Sequence, residues 1–264
     1  MMAKTLKEIE QELEQAELVN IESVCSFYES DERASVQKLL AKYRGRKEKL
    51  LKEFDRVRGM TSYEMHYPKG TVICGIDEAG RGPLAGPVVA GAVILPDLSG
   101  DLADFLYIND SKQLSEKKRE ELFEVIKEHA VSYGVGIVSP ERIDEINILQ
   151  ADYEAMRIAV SQLTPAPEIL LNDAVIIPGL HQEQVSIIKG DAKSLSIAAA
   201  SIMAKVTRDD IMKKYDIMYP EYGFASHKGY GSRDHIEVIK KYGPCPIHRR
   251  SFLKNILGEG EEQD

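Results

Sequence analysis

Residues 71–95 read TVICGIDEAGRGPLAGPVVAGAVIL, two apolar runs rich in β-branched residues and divided by a bend of glycines and prolines. Thr71 to Ile76 and Val88 to Leu95 are strand-sized and predict buried strands, with Asp77 and Glu78 standing where the first run closes. Downstream, the pattern predicts a helix from Ser115 to His129, a strand from Val131 to Val138 and a helical stretch from Ile143 to Leu163. Strands at Glu168 to Leu171 and Gln184 to Ile188 follow, then helices from Ser194 to Tyr215 and Ser232 to Tyr242. Strands that come early and consecutive, then alternate with helices, predict an α/β domain with a mixed sheet and helices packed against it.

Upstream, residues 1 to 66 read as helices. Thr5-x-x-Glu8 has the form of a capping box, and Leu6, Ile9 and Leu13 recur at helical spacing. From about Ser30 to Gly59 a second apolar stripe runs through Val36, Leu39, Leu40, Tyr43, Leu50, Leu51, Phe54 and Val57, which together predicts a helical hairpin. Its charges are segregated: residues 1–37 carry nine acidic and three basic side chains, and residues 38–58 nine basic and three acidic. The basic helix either follows a phosphate backbone or is a solvated face paired with its acidic neighbour.

The chain has 264 residues, 43% of them hydrophobic, which suits one globular domain with an appendage and excludes fibrous and disordered classes. The longest apolar stretches are only strand-sized and the N-terminal region is rich in Glu, so we expect no membrane partner and a cytoplasmic location. Cys25, Cys74 and Cys245 lie far apart with no C-x-x-C spacing and are expected as small core residues. There is no P-loop, nucleophile elbow or H-E-x-x-H helix. A net charge of −9 argues weakly against a polyanion partner, because acids that hold cations make a nuclease locally acidic.

Four acids stand at strand ends, Asp77, Glu78, Asp173 and Asp191, where open sheets bind ligands. A half-buried carboxylate needs a partner or a cation, and hard divalent ions take oxygen ligands. Two such ions about 3.5 to 4 Å apart would clamp the attacking and leaving oxygens of an in-line phosphoryl displacement. The alternative is that each acid is a turn residue or helix N-cap, as Asp191 before a helix suggests. Gly80-Arg81-Gly82-Pro83 is able to bring backbone N–H groups close to a ligand, or is simply a tight turn. His227-Lys228-Gly229-Tyr230-Gly231 offers an aromatic face for a base or sugar, or is a loop with a satisfied histidine.

Taken together and in order, Gly75 through Pro87, Asp110-Ser111-Lys112, Lys189-Gly190-Asp191 with Ser201 to Lys205 downstream, and His227 to Gly231 closely resemble the bacterial ribonuclease HII family, the type 2 ribonucleases H. The resemblance covers about residues 70–255 and leaves the first 66 outside. It implies a ribonuclease H-like mixed five-stranded sheet flanked by helices, here with an N-terminal helical extension over 1–66, a catalytic domain over 67–255 and an acidic tail over 256–264. It also implies an endonuclease that cuts the RNA strand of RNA–DNA hybrids and incises 5′ of ribonucleotides embedded in duplex DNA, in ribonucleotide removal during DNA replication and repair. Asp77, Glu78, Asp173 and Asp191 match the family's catalytic acids, which hold two Mg2+ or Mn2+ ions. The segment Leu171-Asn172-Asp173-Ala174 lacks the glycine expected after the aspartate.

The resemblance further sets the Gly80-Arg81-Gly82 backbone against a ribose 2′-hydroxyl and Tyr230 beneath the following deoxyribose, with Lys112, Lys189 and Lys228 as phosphate contacts. A monomer is expected; no protein partner is implied. Two other readings keep the residues and change the role: a DNA-directed nuclease or integrase of the same fold, and a hybrid-binding module without catalysis. If the basic helix grips the duplex, deleting residues 1–66 weakens hybrid binding and flattens its dependence on salt. An unchanged salt slope in a binding titration would leave the helix as a solvated partner of its neighbour.

Overall fold

The first predicted strand continues past its apolar run. Strand β1 spans Ile73–Ala79, followed by β2 (Val88–Ile94), β3 (Ser132–Val138), β4 (Ile169–Asp173) and β5 (Glu183–Ile187) in the computed structural model, which describes residues 4–258. The strands form one sheet in the order β3-β2-β1-β4-β5. The β1–β2 and β2–β3 pairs are antiparallel, whereas β1–β4 and β4–β5 are parallel. This is the expected mixed five-stranded sheet. A short bend, residues 80–87, joins the antiparallel β1 and β2, whereas helices lie between β2 and β3 and between β3 and β4.

The helices in chain order are α1 (Leu6–Gln15), α2 (Ile21–Phe27), α3 (Ala34–Met60), α4 (Glu116–His129), α5 (Pro140–Ile146), α6 (Ile148–Ser161), α7 (Leu195–Met218), α8 (Phe224–His227), α9 (Arg233–Tyr242) and α10 (Arg250–Leu257). The single helical stretch expected from Ile143 is two helices. Asn147 breaks it with a φ of 67°, and its side chain accepts from the N–H groups of Leu149 and Gln150, which caps α6. Ser115, Ser194 and Ser232 cap α4, α7 and α9 in the same way.

The chain divides into two compact units, up to Arg58 and from Gly59 onward. The first holds three helices, not the expected hairpin. The Thr5–Glu8 capping box starts α1, and the short α2 contributes Ile21 and Cys25 to a core with Ile9, Leu13, Val36, Leu40 and Tyr43. Seven residues make only two turns, too few for a legible period. Across these helices Lys42 pairs with Glu10 at 3.2 Å, and Arg44 pairs with Glu22 and Glu29. The acidic neighbours therefore take up part of the basic face, while Lys38, Arg46, Lys47 and Lys49 form no ion pair among the described residues. Such exposed pairs contribute at most about 1 kcal/mol each.

In the second unit α6 and α7 cover opposite faces of the sheet. Cys74 and Ile76 of β1 pack with Ala155, Met156 and Ala159 of α6. On the other face α7 approaches so closely that a Cβ at Gly91 would stand 2.3 Å from the Ala200 carbonyl oxygen. The small residues of α7, Ala198 to Ser201, are all buried there. All three cysteines are free and buried, as expected. Most of the predicted acidic tail, residues 259–264, lies outside the described residues.

Gly91→Ala forces α7 away from the sheet and is expected to destabilise the protein by about 1–3 kcal/mol. Thermal denaturation would register this as a lowered Tm; an unchanged Tm would show that the helix shifts without strain.

Candidate active site

Asp77 and Glu78 lie inside β1, opposite Gly91 and Ala90 of β2, and do not end the strand as the sequence suggested. Consecutive strand residues face opposite sides, so the two acids part company. Asp77 shares the α7 face with Gly75, whose own Cβ would strike Ser196 at 2.1 Å. Glu78 shares the α6 face with Ile76.

Parallel pairing sets Asn172 of β4 level with Ile76, so Asp173 follows beside Asp77 at the carboxyl end of β4. Ile187 of β5 is level with Asp173. Beyond β5 the backbone turns at Lys189, which has a φ of 57°, and enters a 3-10 turn, Gly190–Ala192, that carries Asp191. The Gly190 N–H donates to Asp173 Oδ1 at 2.7 Å and ties the two segments together. A side chain at Gly190 would lie 2.6 Å from Ile197 Cδ1. Strand β1, the end of β4 and the turn after β5 thus bring carboxylate oxygens of Asp77, Asp173 and Asp191 within 4.8 Å of one another.

This cluster resists being charged. Asp77 is 3% exposed, and burial, then the neighbouring charges of Glu78 and Asp173, push its carboxyl well above the usual range, with the Ser201 hydroxyl partly offsetting them. Burial also raises Asp191, aided by Asp110 and Asp173 and opposed by Lys112. Lys112 Nζ donates to Asp191 Oδ2 at 3.3 Å, a single cation against three acids. Donors that are all carboxylate oxygens, close together and short of positive charge, fit a hard divalent cation. Asp77, Asp173 and Asp191 are the residues that would hold it.

Glu78 stands outside that group. Arg81 Nη1 lies 3.6 Å from Glu78 Oε1, and Arg81 Nε lies 3.6 Å from Asp152 Oδ2. Asp152, on α6, is fully buried, and neither of its carboxylate oxygens has a hydrogen-bond partner. Burial and the Glu78 charge push it up to about 8. Sequence reasoning passed over this residue. The available signal was an acid on the buried stripe of α6, one turn before Ala155 and Met156.

The bend from Gly80 to Pro87 is held from below by two buried arginines, which sequence reasoning also missed. Arg249 donates to the carbonyls of Gly80, Arg81 and Gly86, and Arg208 to those of Ala85, Pro87 and Lys228. Above the bend, Tyr230 is half exposed, and a Cβ on Gly82 would lie 3.9 Å from its ring. The turn and the aromatic face singled out in the sequence are therefore neighbours. Lys189 is exposed beside the acids, whereas Lys228 is turned inward, with Nζ donating to the Ala225 carbonyl at 2.6 Å.

Histidines anchor this loop. His227 Nε2 donates to the Tyr222 carbonyl and its Nδ1 accepts from Gly229 N–H, so the satisfied-histidine reading holds for it. His235 Nδ1 donates to the Tyr230 carbonyl at 2.8 Å, which leaves its Nε2 to accept from His248 Nε2 at 3.0 Å. His248 Nδ1 in turn accepts from Cys245 N–H at 3.0 Å. Burial lowers both His235 and His248 to about 4 and keeps them neutral.

Comparison with known proteins supplies independent information. Residues 74–255 match the family model described as Ribonuclease HII, and residues 5–68 the one described as Ribonuclease HII N-terminal domain. The Ribonuclease HII of Lachnoclostridium phytofermentans is 59% identical over 251 residues, covering 95% of this chain and 97% of that protein. That of Clostridioides difficile is 53% identical and covers 97% and 100% respectively. Among solved structures, ribonuclease H2 from Pyrococcus horikoshii OT3 superposes with a TM-score of 0.59 at 32% identity, over 72% of this chain and 99% of that one.

Asp152 gives a prediction with a definite sign. Its unfolded-state carboxyl loses its proton near pH 4, but in the folded protein it does so only at about 8. Rising pH across that window therefore favours the unfolded chain. Without divalent metal, Asp152→Asn is expected to match the parent at pH 4 and exceed it by about 1–3 kcal/mol at pH 8. Denaturant midpoints at pH 4, 6 and 8 test this; a difference constant across pH would refute it.

Proposed function

The chain belongs to the ribonuclease HII family and is an endonuclease that cuts the RNA strand of RNA–DNA hybrids, and we propose that it does so at Asp77, Asp173 and Asp191, with Glu78 as the fourth acid. The observation that carries this reading is the convergence of three carboxylates, two buried and one half-buried, from β1, β4 and the turn after β5. When bound, Mg2+ or Mn2+, as two ions, would lower the pKa of the attacking water and steady the departing 3′-oxygen, leaving 3′-hydroxyl and 5′-phosphate ends. Asp77, Asp173 and Asp191 would hold the ions. Glu78 acts from the adjoining position, where its charge reaches Asp173 and Arg81 steadies it.

The chain's other residues bind and orient. Lys112 and Lys189, beside the acids, hold the phosphates flanking the cut. The Gly80-Arg81-Gly82 backbone takes the 2′-hydroxyl of the ribonucleotide, and Tyr230 supports the next, deoxy, sugar. A 2′-hydroxyl is both donor and acceptor, so backbone groups are able to demand it, whereas a flat apolar ring under the following sugar tolerates its absence. The closeness of Gly82 and Tyr230 supports this division of labour and favours the ribonucleotide reading over a DNA-directed nuclease. Lys228 contributes through the loop it fastens, because its ammonium already serves Ala225.

The substrates are RNA–DNA hybrids and duplex DNA with embedded ribonucleotides, cut on the 5′ side of the ribonucleotide by a monomer in the cytoplasm during replication and repair. No described helix is long and apolar enough to cross a membrane. Asp77→Asn is expected to reduce cleavage of a duplex containing one ribonucleotide by about a thousandfold or more, with hybrid affinity within a few-fold of the parent. Product mapping on sequencing gels and a binding titration read the two quantities. Robust cutting by the variant would overturn the ligand assignment, and equal cutting of all-DNA duplex would overturn the substrate.

A further inference from the structure

Arg249 is fully buried and spends all its guanidinium nitrogens on one stretch of backbone. Its Nη2 donates to the Gly80 carbonyl at 2.6 Å, Nη1 to Arg81 at 2.9 Å and Nε to Gly86 at 2.9 Å. The residue is placed beneath the bend by backbone pairing. Ala85 bridges His248, Arg249 N–H donates to the Leu84 carbonyl, and Gly86 N–H donates to the Ile247 carbonyl. A buried cation with carbonyls for company and no carboxylate contact among the described residues is costly. Its geometry therefore calls for an explanation beyond packing.

A trans peptide supplies one. The carbonyl of one residue and the N–H of the next point in opposite directions. With the Gly80 and Arg81 carbonyls drawn inward, the N–H groups of Arg81 and Gly82 must turn outward. These two residues are the exposed ones in a bend whose other members are buried or half-buried. Among the described residues, neither N–H has a protein acceptor. Gly80 takes a φ of 98°, and a side chain there would strike Arg208 Nε at 2.1 Å, so only glycine fits the start of the bend.

We propose that Arg249 is a specificity-positioning residue, which orients the Gly80–Arg81 and Arg81–Gly82 peptides so that two N–H groups face the ribose 2′-oxygen. It touches neither substrate nor metal and acts through the backbone it grips. This rests on the reading of Gly80-Arg81-Gly82 as the sugar contact. A planar fork meets three carbonyls at fixed angles, and a lysine ammonium at the same site does not. Loss of the fork therefore frees the peptides to rotate and weakens recognition of ribose, leaving phosphate contacts unchanged.

The test compares KM for a duplex with one ribonucleotide against the inhibition constant of the same duplex made wholly of DNA. Arg249→Lys is expected to raise KM about tenfold, one hydrogen bond's worth, with the inhibition constant of the all-DNA duplex unmoved. If both constants rise together, or neither moves, Arg249 is a packing residue and the proposal fails. If the parent protein itself shows equal constants for the two duplexes, the sugar reading fails instead. Should Arg249→Lys not fold, as circular dichroism would reveal, the side-chain 15N–H resonances of Arg249 in the parent decide. In EDTA they should shift on adding the ribonucleotide duplex and stay fixed with all-DNA duplex; identical responses to both overturn the proposal.

Discussion

Carboxylates held within about 5 Å of each other repel, and burial strengthens the repulsion by removing the water that would screen it. The second unit of this protein is organised around holding three of them, Asp77, Asp173 and Asp191, in that unfavourable arrangement. The parallel β1–β4–β5 register fixes two of the strand ends, the Gly190 N–H grips Asp173, and α7 seals the face beneath them at van der Waals distance. Apart from the Gly190 N–H, which partly offsets the Asp173 charge, these contacts do not relieve the repulsion. They prevent the side chains from escaping it, so that the free energy of cation binding includes the relief of repulsion. The glycines of the sheet belong to the same logic, since a wider gap between α7 and the strands would let the acids spread.

The opposite face of the sheet carries a second polar group, Glu78, Arg81 and Asp152, and the two groups communicate through adjacent residues of one strand. Arg81 lies between two acids and in the bend proposed to face the substrate. Its side chain steadies Glu78 while its backbone belongs to the segment that Arg249 clamps. On the proposed reading, catalytic charge and sugar recognition come from neighbouring atoms of a single short stretch, residues 77–82. Separate elements support that stretch, with α7 below one side, α6 below the other and the segment 247–249 beneath the bend.

The strands, their order of appearance and the four acids were legible because each rests on a local signal: an apolar run, a bounding glycine or proline, a charge where the run stops. The endpoint of β1 was misjudged for a physical reason. Asp77 and Glu78 are polar but still pair within the ladder, so polarity marks a boundary that the backbone does not observe. Asn147 was read as part of a helix because its left-handed conformation has no compositional mark beyond the residue type itself. Ala174 is a related case. It takes a φ of 55° directly after Asp173, where glycine would be at ease, so the departure seen in the sequence keeps the backbone shape and accepts some strain. Asp152, Arg208 and Arg249 were not visible as a set, since their partners lie scores of residues away and only folding juxtaposes them.

The histidine chain behind Tyr230 has one more implication. His235 and His248 hold the tyrosine's carbonyl through a defined pair of tautomers, and both gain a proton only near pH 4. An unperturbed imidazole would change charge between about pH 5 and 8. By sinking these rings into an aromatic nest with Phe224 and Tyr222, the fold insulates the loop that carries Tyr230 from acidification. Whatever a fall in pH does to the carboxylates, that loop keeps its shape.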